Sequence, residues 1–267
     1  MQSTSPTPAF FAGLLGFGYV YVGRLGSAVA IIAFGVTLFA IVAWTRLILS
    51  PWALYALGAV SLLLFLLQVI HPVLIAAREP NAPRKRYNRW WFYVLWLLVS
   101  QLGLEAVLVS RAEVFGYETF GTPSGSMAPT LEPGDYFVVD SWRYSSARPS
   151  IGDVVVYQDV TRSNVTLVKR VVGVPGDRVE VRAGHLYRNA EPVVEPYLSP
   201  AMQEDRSYAA LTLAAGQYYV LGDNRANSLD SRFHGPVSGN NIRGRVEYIW
   251  FSSASWQRFP ARIAGGT

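Results

Sequence analysis

The chain of 267 residues contains no cysteine, two lysines and three histidines. Without cysteine it has neither a disulfide framework nor a thiolate zinc site, and His71, His185 and His234 do not have the spacing of metal ligands. Basic and aromatic residues are not interleaved as they are in RNA-binding segments. We therefore expect no metal site and no nucleic-acid partner, in spite of a net charge of +5.

The scarcity of lysine makes the position of Lys169 informative. Lys85 belongs to a basic loop, and apart from the histidines every other basic residue is arginine. Lys169 lies inside the apolar run 165–172, where desolvation can lower the pKa of a lysine enough for it to act as a base, which arginine effectively cannot do. Taken alone, however, a strand lysine whose ammonium reaches water is the simpler explanation.

Apolar residues make up 51% of the chain and are concentrated before residue 110. A membrane-spanning helix needs about 20 predominantly apolar residues, which three of four apolar stretches provide. The first stretch is short and rich in glycine, so it is either a short helix or a re-entrant piece. Residues 1–8 carry no charge and do not resemble the start of a cleavable signal peptide. The four stretches are residues 10–22, 25–44, 52–70 and 90–110.

The loop 77–89 predicts the orientation of these spans. Its five basic residues outnumber its single acidic residue, Glu79, and the positive-inside rule places such a loop in the cytoplasm. Residues 1–110 are then a membrane domain with three or four spans, and residues 111–267 form an extracytoplasmic domain. The five basic residues are Arg78, Arg84, Lys85, Arg86 and Arg89.

After residue 110 the sequence changes to short runs of β-branched or aromatic residues, separated by glycine, proline and aspartate. Such runs predict strands. Ala183-Gly184 indicates a hairpin turn, and Asn189-Ala190 a poorer one, because alanine resists positive φ. The predicted strands are residues 136–140, 154–157, 165–174, 179–182, 186–188, 218–221 and 246–251.

Ser126 is the candidate nucleophile. Gly125 permits close approach of the backbone, and Ser124 lies on the same side of an extended segment, where its hydroxyl can join the Ser126 N–H in stabilising an oxyanion. A serine nucleophile with a lysine base is a known acyl-transfer pair. The polar stretch 222–232 can supply a hydroxyl that orients the lysine. An ordinary Ser/Gly/Pro turn and a solvated loop explain these two stretches equally simply when each is taken alone.

Four stretches of the sequence resemble, in the family's order, the four sequence boxes of bacterial type I signal peptidases. One box is weak evidence, but four in order argue strongly against coincidence. The resemblance covers roughly residues 120–251. The four stretches are residues 124–131, 152–155, 169–177 and 222–232.

The resemblance implies an α+β membrane protein, with N-terminal transmembrane helices followed by a mostly antiparallel β catalytic domain. It implies a serine endopeptidase with a Ser–Lys dyad and no cofactor, which cleaves signal peptides from exported preproteins after small residues. The enzyme would lie in the bacterial cytoplasmic (inner) membrane as a multi-pass protein, with its catalytic domain on the outer, periplasmic face. Its partners would be preprotein signal peptides, the lipid bilayer and the export machinery.

The resemblance also implies a role for each matching residue. Ser126 resembles the nucleophile and Lys169 the general base, while Ser124 and Ser126 resemble the oxyanion-hole donors. Ser228 resembles the hydroxyl that orients the lysine ammonium. The supporting ion pairs would be Asp223 with Arg170 and Asp230 with Arg232, and the small substrate pocket would contain Met127, Leu131 and Val168.

Two features depart from the family's common enteric form. That form has two spans before the catalytic domain, whereas three or four are expected here, and the stretch 177–222 is too short to hold the large extra β domain. We therefore expect a minimal catalytic core. Two alternatives stay open: a specialised member that matures one substrate class, such as a pilin, and a catalytically inactive membrane scaffold. The presence of both Ser126 and Lys169 speaks against the scaffold.

Overall fold

The structure, a computed structural model, describes residues 4–80, 85, 89–159 and 165–263. It divides into two compact units, Met1–Phe115 and Gly116–Thr267. The first unit is helical and the second is mostly antiparallel β, which confirms the predicted α+β class. Arg84 and Arg86 of the predicted cytoplasmic loop lie outside the described residues.

The described residues of the first unit form five α-helices. Two of them, α3 and α4, are long and apolar enough to cross a membrane, and within the described residues a third apolar stretch, Trp90–Gly103, is shorter. The number of spans and the assignment of the two domains stay predictions. The helices are α1 (Pro6–Leu14), α2 (Gly18–Tyr21), α3 (Leu25–Trp44), α4 (Pro51–Arg78) and α5 (Trp90–Phe115).

The first apolar stretch, 10–22, is not one continuous helix. The chain turns at Gly16, whose φ is +83°, and the nine residues of α1 rise only about 14 Å, against a bilayer core of roughly 30 Å. Gly13 packs on the backbone of α4, where an added Cβ would lie 2.8 Å from Val69 Cα. The Thr4 hydroxyl donates to the Glu79 carbonyl at 3.0 Å, so this segment begins beside the C-terminal end of α4, and α1 alone is only about half as long as a bilayer core is thick.

The described residues of the second unit form two antiparallel sheets. The larger has the strand order β1-β2-β11-β3-β4-β9-β10, with β12 paired to β11, and the smaller has the order β7-β6-β5-β8. The strands are β1 (Tyr117–Gly121), β2 (Asp135–Asp140), β3 (Val154–Asp159), β4 (Val165–Gly173), β5 (Arg178–Arg182), β6 (His185–Arg188), β7 (Glu191–Pro192), β8 (Tyr208–Thr212), β9 (Gln217–Leu221), β10 (Val237–Ser238), β11 (Ile242–Ser252) and β12 (Ala261–Arg262). Two one-turn helices accompany them, α6 (Arg143–Ser146) and α7 (Ser231–His234).

All seven predicted strands are confirmed, with bounds that differ by a few residues. Both predicted hairpin turns are present as well. Ala183 and Gly184 join β5 to β6 with φ of 46° and 78°, and Asn189 and Ala190 join β6 to β7 with φ of 55° and 70°. Two consecutive residues with positive φ are what a type I′ turn requires, so Ala190 accepts a conformation that alanine ordinarily avoids.

Strand β4 is held in the middle of the larger sheet, between β3 and β9. Lys169 pairs with Val155 of β3, and Arg170 pairs with both Val154 of β3 and Leu221 of β9. The adjoining core contains eight buried residues, so the strand that carries Lys169 rests on a packed apolar layer. These residues are Met127, Leu131, Phe137, Val139, Val154, Val156, Val246 and Ile249.

Candidate active site

Ser126 lies in a single 3₁₀ turn, Gly125–Met127, that follows an extended Ser124. The loop 222–232 holds this turn from both sides of the serine. The backbone N–H of Asn224 donates to the Ser126 carbonyl at 3.1 Å, and its side-chain amide donates to the Gly125 carbonyl, also at 3.1 Å. Because both bonds go to the backbone, they fix the turn and leave the Ser126 hydroxyl available for other contacts.

The Lys169 side chain reaches Ser126 from β4. Its Nζ donates to Ser126 Oγ at 2.9 Å and to the Val168 carbonyl at 2.8 Å, and the residue is only 3% exposed. Burial lowers the pKa of Lys169 from 10.5 to about 8, although the carboxylates of Asp230 and Asp223 raise it in part. A lysine with such a pKa is partly neutral near physiological pH and can accept a proton from the serine.

The two groups face a cavity of about 430 Å³. The Ser124 hydroxyl lies on the same wall and donates to Ser126 Oγ at 3.4 Å. A nucleophile, a base and a further hydroxyl donor therefore meet at a space that a substrate can enter. The lining residues are Ser124, Ser126, Leu167, Lys169, Ala226, Asn227, Ser228, Leu229 and Phe233.

Two buried ion pairs lie behind the cavity wall. Arg170 and Asp223 form a two-point contact, with Nε–Oδ1 at 2.9 Å and Nη2–Oδ2 at 2.7 Å. Arg232 and Asp230 do the same, with both distances at 2.8 Å. Asp230 also accepts from the Gly222 N–H at 2.9 Å. The structure thus brings together both pairs expected from the sequence, and their buried two-point geometry fixes the shape of the loop.

The family model described as "Signal peptidase, peptidase S26" matches residues 95–251, which is more than half of the chain. The chain belongs to the signal peptidase family. It is therefore a serine peptidase, and the resemblance of its four boxes to type I signal peptidases is confirmed. The match begins at residue 95, so α1 to α4 lie outside the segment that defines the family.

Individual relatives agree with this assignment. The chain is 37% identical over 156 residues to signal peptidase I of Leptolyngbya laminosa, covering 55% of this chain and 75% of the relative. It is 36% identical over 166 residues to signal peptidase I U of Bacillus subtilis, covering 58% and 87%. A solved signal peptidase I from Enterococcus faecalis is 32% identical, covers 37% of this chain and 97% of its own, and gives a TM-score of 0.34.

Ser228, the expected orienting hydroxyl of this signal peptidase, lines the cavity. Its Oγ is buried and has no hydrogen-bond partner among the described residues, so the second acceptor of the Lys169 ammonium is the Val168 carbonyl. Gly222 keeps Ser228 close to the nucleophile turn, since a Cβ at position 222 would clash with the Ser228 side chain and the Ser126 carbonyl. The orienting role of Ser228 stays a prediction.

The three expected pocket residues belong to the apolar core or pack against it. Met127 is 2% exposed and Leu131 is 0% exposed, and both belong to the apolar core, against which Val168 packs. Among the described residues, the cavity wall takes its apolar surface from Leu167, Leu229 and their neighbours instead. The role of Met127, Leu131 and Val168 in a substrate pocket stays a prediction.

Several residues of the site are not apparent from the sequence alone. The Thr130 hydroxyl donates to Asp223 and accepts from Arg170, so it ties the nucleophile turn to the ion pair. Thr130 and Asn224 both lie within stretches that resemble the family's boxes, so their positions in the sequence could have identified them as candidates. Glu195 and Glu204, which bind arginines of the loop 222–232, lie outside every box and have no such signal.

Proposed function

We propose that this signal peptidase cleaves N-terminal signal peptides from exported preproteins after small residues, with Ser126 as nucleophile and Lys169 as general base. One observation carries the proposal: Lys169 Nζ lies 2.9 Å from Ser126 Oγ while burial lowers the pKa of the lysine to about 8. Such a pair has the geometry and the proton affinity that nucleophilic catalysis by serine requires.

The reaction follows from this pair. Neutral Lys169 takes the Ser126 proton as Oγ attacks the carbonyl carbon of the scissile peptide bond. The tetrahedral intermediate then collapses, the C–N bond breaks, and the Lys169 ammonium gives its proton to the leaving amine. An ester of Ser126 remains. Water attacks this ester while Lys169 again accepts a proton, the C–O bond breaks, and Ser126 regains its hydrogen.

Ser124 and the Ser126 N–H would stabilise the oxyanion of each tetrahedral intermediate. The Ser124 hydroxyl lies 3.4 Å from Ser126 Oγ, which supports this role, because a carbonyl attacked by Oγ would carry its oxygen close to Ser124 and to the backbone of the nucleophile turn. Losing one such donor costs about 10²–10³-fold in kcat. The Ser124 hydroxyl would therefore contribute to kcat more than to substrate binding.

The preference for small residues would come from the packing behind the nucleophile turn. Met127, which follows Ser126 in the nucleophile turn, and Leu131 are buried in the apolar core and do not line the cavity, so the space behind the turn is already filled. Close packing behind the turn would leave room for a short side chain before the cut and reject a longer one.

The membrane location is supported by the first unit. Helices α3 and α4 meet the length and composition of membrane spans. Arg78 ends α4, and the loop that follows carries Lys85 and Arg89 in addition to the two arginines that lie outside the described residues. By the positive-inside rule this loop is cytoplasmic. The protein would then be a multi-pass protein of the cytoplasmic membrane, with its peptidase domain on the outer face, where the export machinery delivers preproteins.

A specialised peptidase with one substrate class is the second candidate. The observation that favours it is the segment 4–24, which packs against α4 and lies outside the matched region. A specialist would use the same dyad. Its substrate, such as a pilin, would be selected by the added membrane elements.

Cleavage of a generic preprotein in liposomes tests these proposals. The full chain and a control with an exposed serine replaced, Ser146→Ala, should cut the preprotein, whereas Ser126→Ala should not. If the full chain cuts only a pilin-type substrate, it is the specialist. If Ser126→Ala cuts at the normal rate, Ser126 is not the nucleophile and the proposal fails.

A further inference from the structure

The chain between β7 and β8, residues 193–207, carries two acidic residues that contact the loop 222–232. We refer to it as the crossover segment. Both Nη atoms of Arg225 donate to the Glu195 carboxylate, with side chains 2% and 6% exposed, and Arg232 Nη1 donates to Glu204, with side chains 1% and 12% exposed. Each glutamate therefore forms an ion pair with one buried arginine.

Two tyrosines strengthen the same contact. The Tyr197 hydroxyl donates to Glu195 at 2.6 Å, and its ring lies 4.0 Å from the guanidinium carbon of Arg170. The Tyr208 hydroxyl lies 3.4 Å from Glu204, and its ring lies 5.7 Å from the guanidinium carbon of Arg232. Arg170 follows Lys169 in sequence, so the crossover segment touches the base-bearing strand as well as the loop.

Each of these two arginines also donates a hydrogen bond to a backbone carbonyl near the cavity. Arg225 Nε donates to the Gly222 carbonyl at 3.1 Å, and Arg232 Nη2 donates to the Ser228 carbonyl at 3.2 Å. Gly222 lies against the Ser126 carbonyl and Ser228 lines the cavity. Both glutamates are thus one arginine away from the wall that faces the nucleophile and the base.

The two arginines differ in whether a second carboxylate would remain in contact if the glutamate were removed. Arg232 has a second carboxylate partner, Asp230, whereas Glu195 is the only carboxylate that Arg225 contacts within the described residues. An arginine buried without a counter-charge is costly. Removing Glu195 should therefore displace the guanidinium of Arg225 and release the Gly222 carbonyl.

We propose that Glu195 and Glu204 are positioning residues for the peptidase reaction, acting through Arg225 and Arg232 to hold Gly222 and Ser228 beside Ser126 and Lys169. The inference rests on the proposed function, since it concerns the efficiency of the same dyad. It gives a role to a stretch that matches none of the family's boxes.

The pH dependence of the reaction gives a readout that a purely structural role would not change. The loop presents Asp223, Asp230 and Arg232 to Lys169; the two carboxylates raise its pKa and Arg232 lowers it. The nucleophile turn contributes a neutral hydroxyl, and β3 contributes the apolar Val155. Loss of the negative charge of Glu204 leaves the charge of Arg232 less balanced, so the rate should reach half its maximum at a lower pH.

The experiment compares Glu195→Gln and Glu204→Gln with Asp205→Asn, an exposed neighbour that loses the same charge. Cleavage of a preprotein is measured against pH in the full chain. Both glutamine variants should lose about 10-fold to 10²-fold in kcat, as small misplacements at a distance do, with KM little changed. Glu204→Gln should also shift the pH profile to lower pH, and Glu204→Asp, which keeps the charge, should restore it. Asp205→Asn should behave as the natural chain does.

A double-mutant cycle separates the Glu195–Arg225 contact from other effects. If Glu195 acts through Arg225, then Glu195→Gln should cost little further kcat once Arg225→Gln is present. Losses that simply add in the double variant would overturn the inference for Glu195. A wild-type kcat and pH profile in Glu204→Gln would overturn it for Glu204.

Hydrogen exchange of the amides 226–229 distinguishes failure of this inference from failure of the proposed function. Both glutamine variants should speed exchange in this stretch, whether or not the chain cuts preproteins. If the natural chain cuts no preprotein but exchange responds, the proposed function is wrong and the positioning contact stands. Unchanged exchange in both variants would overturn the contact itself.

Discussion

Arg258 binds Asp135 across the second unit, with Nη2 at 2.7 Å from Oδ2. The same Nη2 donates to the carbonyls of Pro129 and Thr130, at 3.2 and 3.0 Å. These two residues follow the nucleophile turn, and the Thr130 hydroxyl in turn donates to Asp223. The segment after β11 therefore supports the loop that carries Ser126.

This support predicts the effect of Arg258→Gln. The substitution leaves Asp135, which is 0% exposed, without its charged partner, and lost hydrogen bonds to a charged group cost about 1.5–3 kcal/mol. We expect a lower melting temperature together with a lower kcat. Arg262→Gln, at a nearby exposed arginine, is the control and should leave both unchanged. If Arg258→Gln melts normally, the contact does not support the loop.

The pKa of Lys169 predicts how activity depends on pH. Because the lysine must be neutral to accept the Ser126 proton, and burial lowers its pKa to about 8, kcat/KM should rise with pH and level off above about 8. Lys169→Arg keeps the charge but cannot lose its proton, so it should be inactive at every accessible pH. A flat profile through pH 8, or an active arginine variant, would remove Lys169 from the mechanism.

The same pKa predicts a pH-dependent cost to stability. The pKa of Lys169 is 10.5 when solvated and about 8 in the fold, so the unfolded chain binds the proton more tightly. At 1.36 kcal/mol per pKa unit, burying the ammonium costs about 3 kcal/mol below pH 8, and this cost fades as pH rises towards 10.5.

Lys169→Met removes this cost. The free energy of unfolding of the methionine variant, relative to the natural chain, should therefore fall by about 3 kcal/mol between pH 7 and pH 10.5. Denaturant unfolding at both pH values measures it. Part of the gain at pH 7 is offset by the lost hydrogen bonds to Val168 and Ser126, but that offset does not imitate the pH dependence. A difference that stays constant with pH would contradict the low pKa.

The strands and the dyad can be predicted from the sequence because their signals are local. Runs such as Val154–Asp159 are rich in valine, and Ser126 and Lys169 each lie within a recognisable box. The strand β8 is not predictable in this way, since Tyr-Ala-Ala-Leu-Thr has no strand alternation and becomes a strand by pairing with β5. Similarly, β1 follows α5 with Gly116 alone between them, which leaves no loop to mark a boundary.

The remaining parts of the site depend on long-range packing. Lys169 donates to the backbone carbonyl of Val168, and the pattern of side chains in the sequence does not predict such a backbone contact. The partners Glu195 and Glu204 lie 30 and 28 residues from their arginines, and only the path of the crossover segment brings them together. The break at Gly16 comes three residues after Gly13, which packs tightly on the distant α4, whereas the composition of residues 10–22 alone allows one helix.

The contrast between Ser228 and Asp230 predicts that activity and stability separate within one loop. The Ser228 hydroxyl is buried without a partner among the described residues, so Ser228→Ala removes an unsatisfied group and should melt at the same temperature or slightly higher. If that hydroxyl orients the Lys169 ammonium during the reaction, the variant should nevertheless lose kcat. A normal kcat would show that Val168 alone is sufficient.

The variant Asp230→Ala should have both lower stability and lower activity than the natural chain. The aspartate accepts from Arg232 and from the Gly222 N–H, and breaking a fully buried pair costs roughly 3–5 kcal/mol. We therefore expect early melting and low activity. Measuring melting temperature and kcat for both variants tests these two roles. Early melting of Ser228→Ala with normal melting of Asp230→Ala would show that Ser228, and not Asp230, supports the structure of the loop.

The final prediction concerns membrane topology. If the loop after α4 is cytoplasmic, a reporter enzyme that is active only outside the cytoplasm should be inactive when fused at Asn81 and active when fused after Gly121. Because Thr4 contacts Glu79, a reporter at the N-terminus should behave like the fusion at Asn81. A second reporter, active only in the cytoplasm, should give the opposite pattern at all three positions. Activity of the outside reporter at Asn81 but not after Gly121 would place the peptidase domain in the cytoplasm, away from the cleavage sites of exported preproteins.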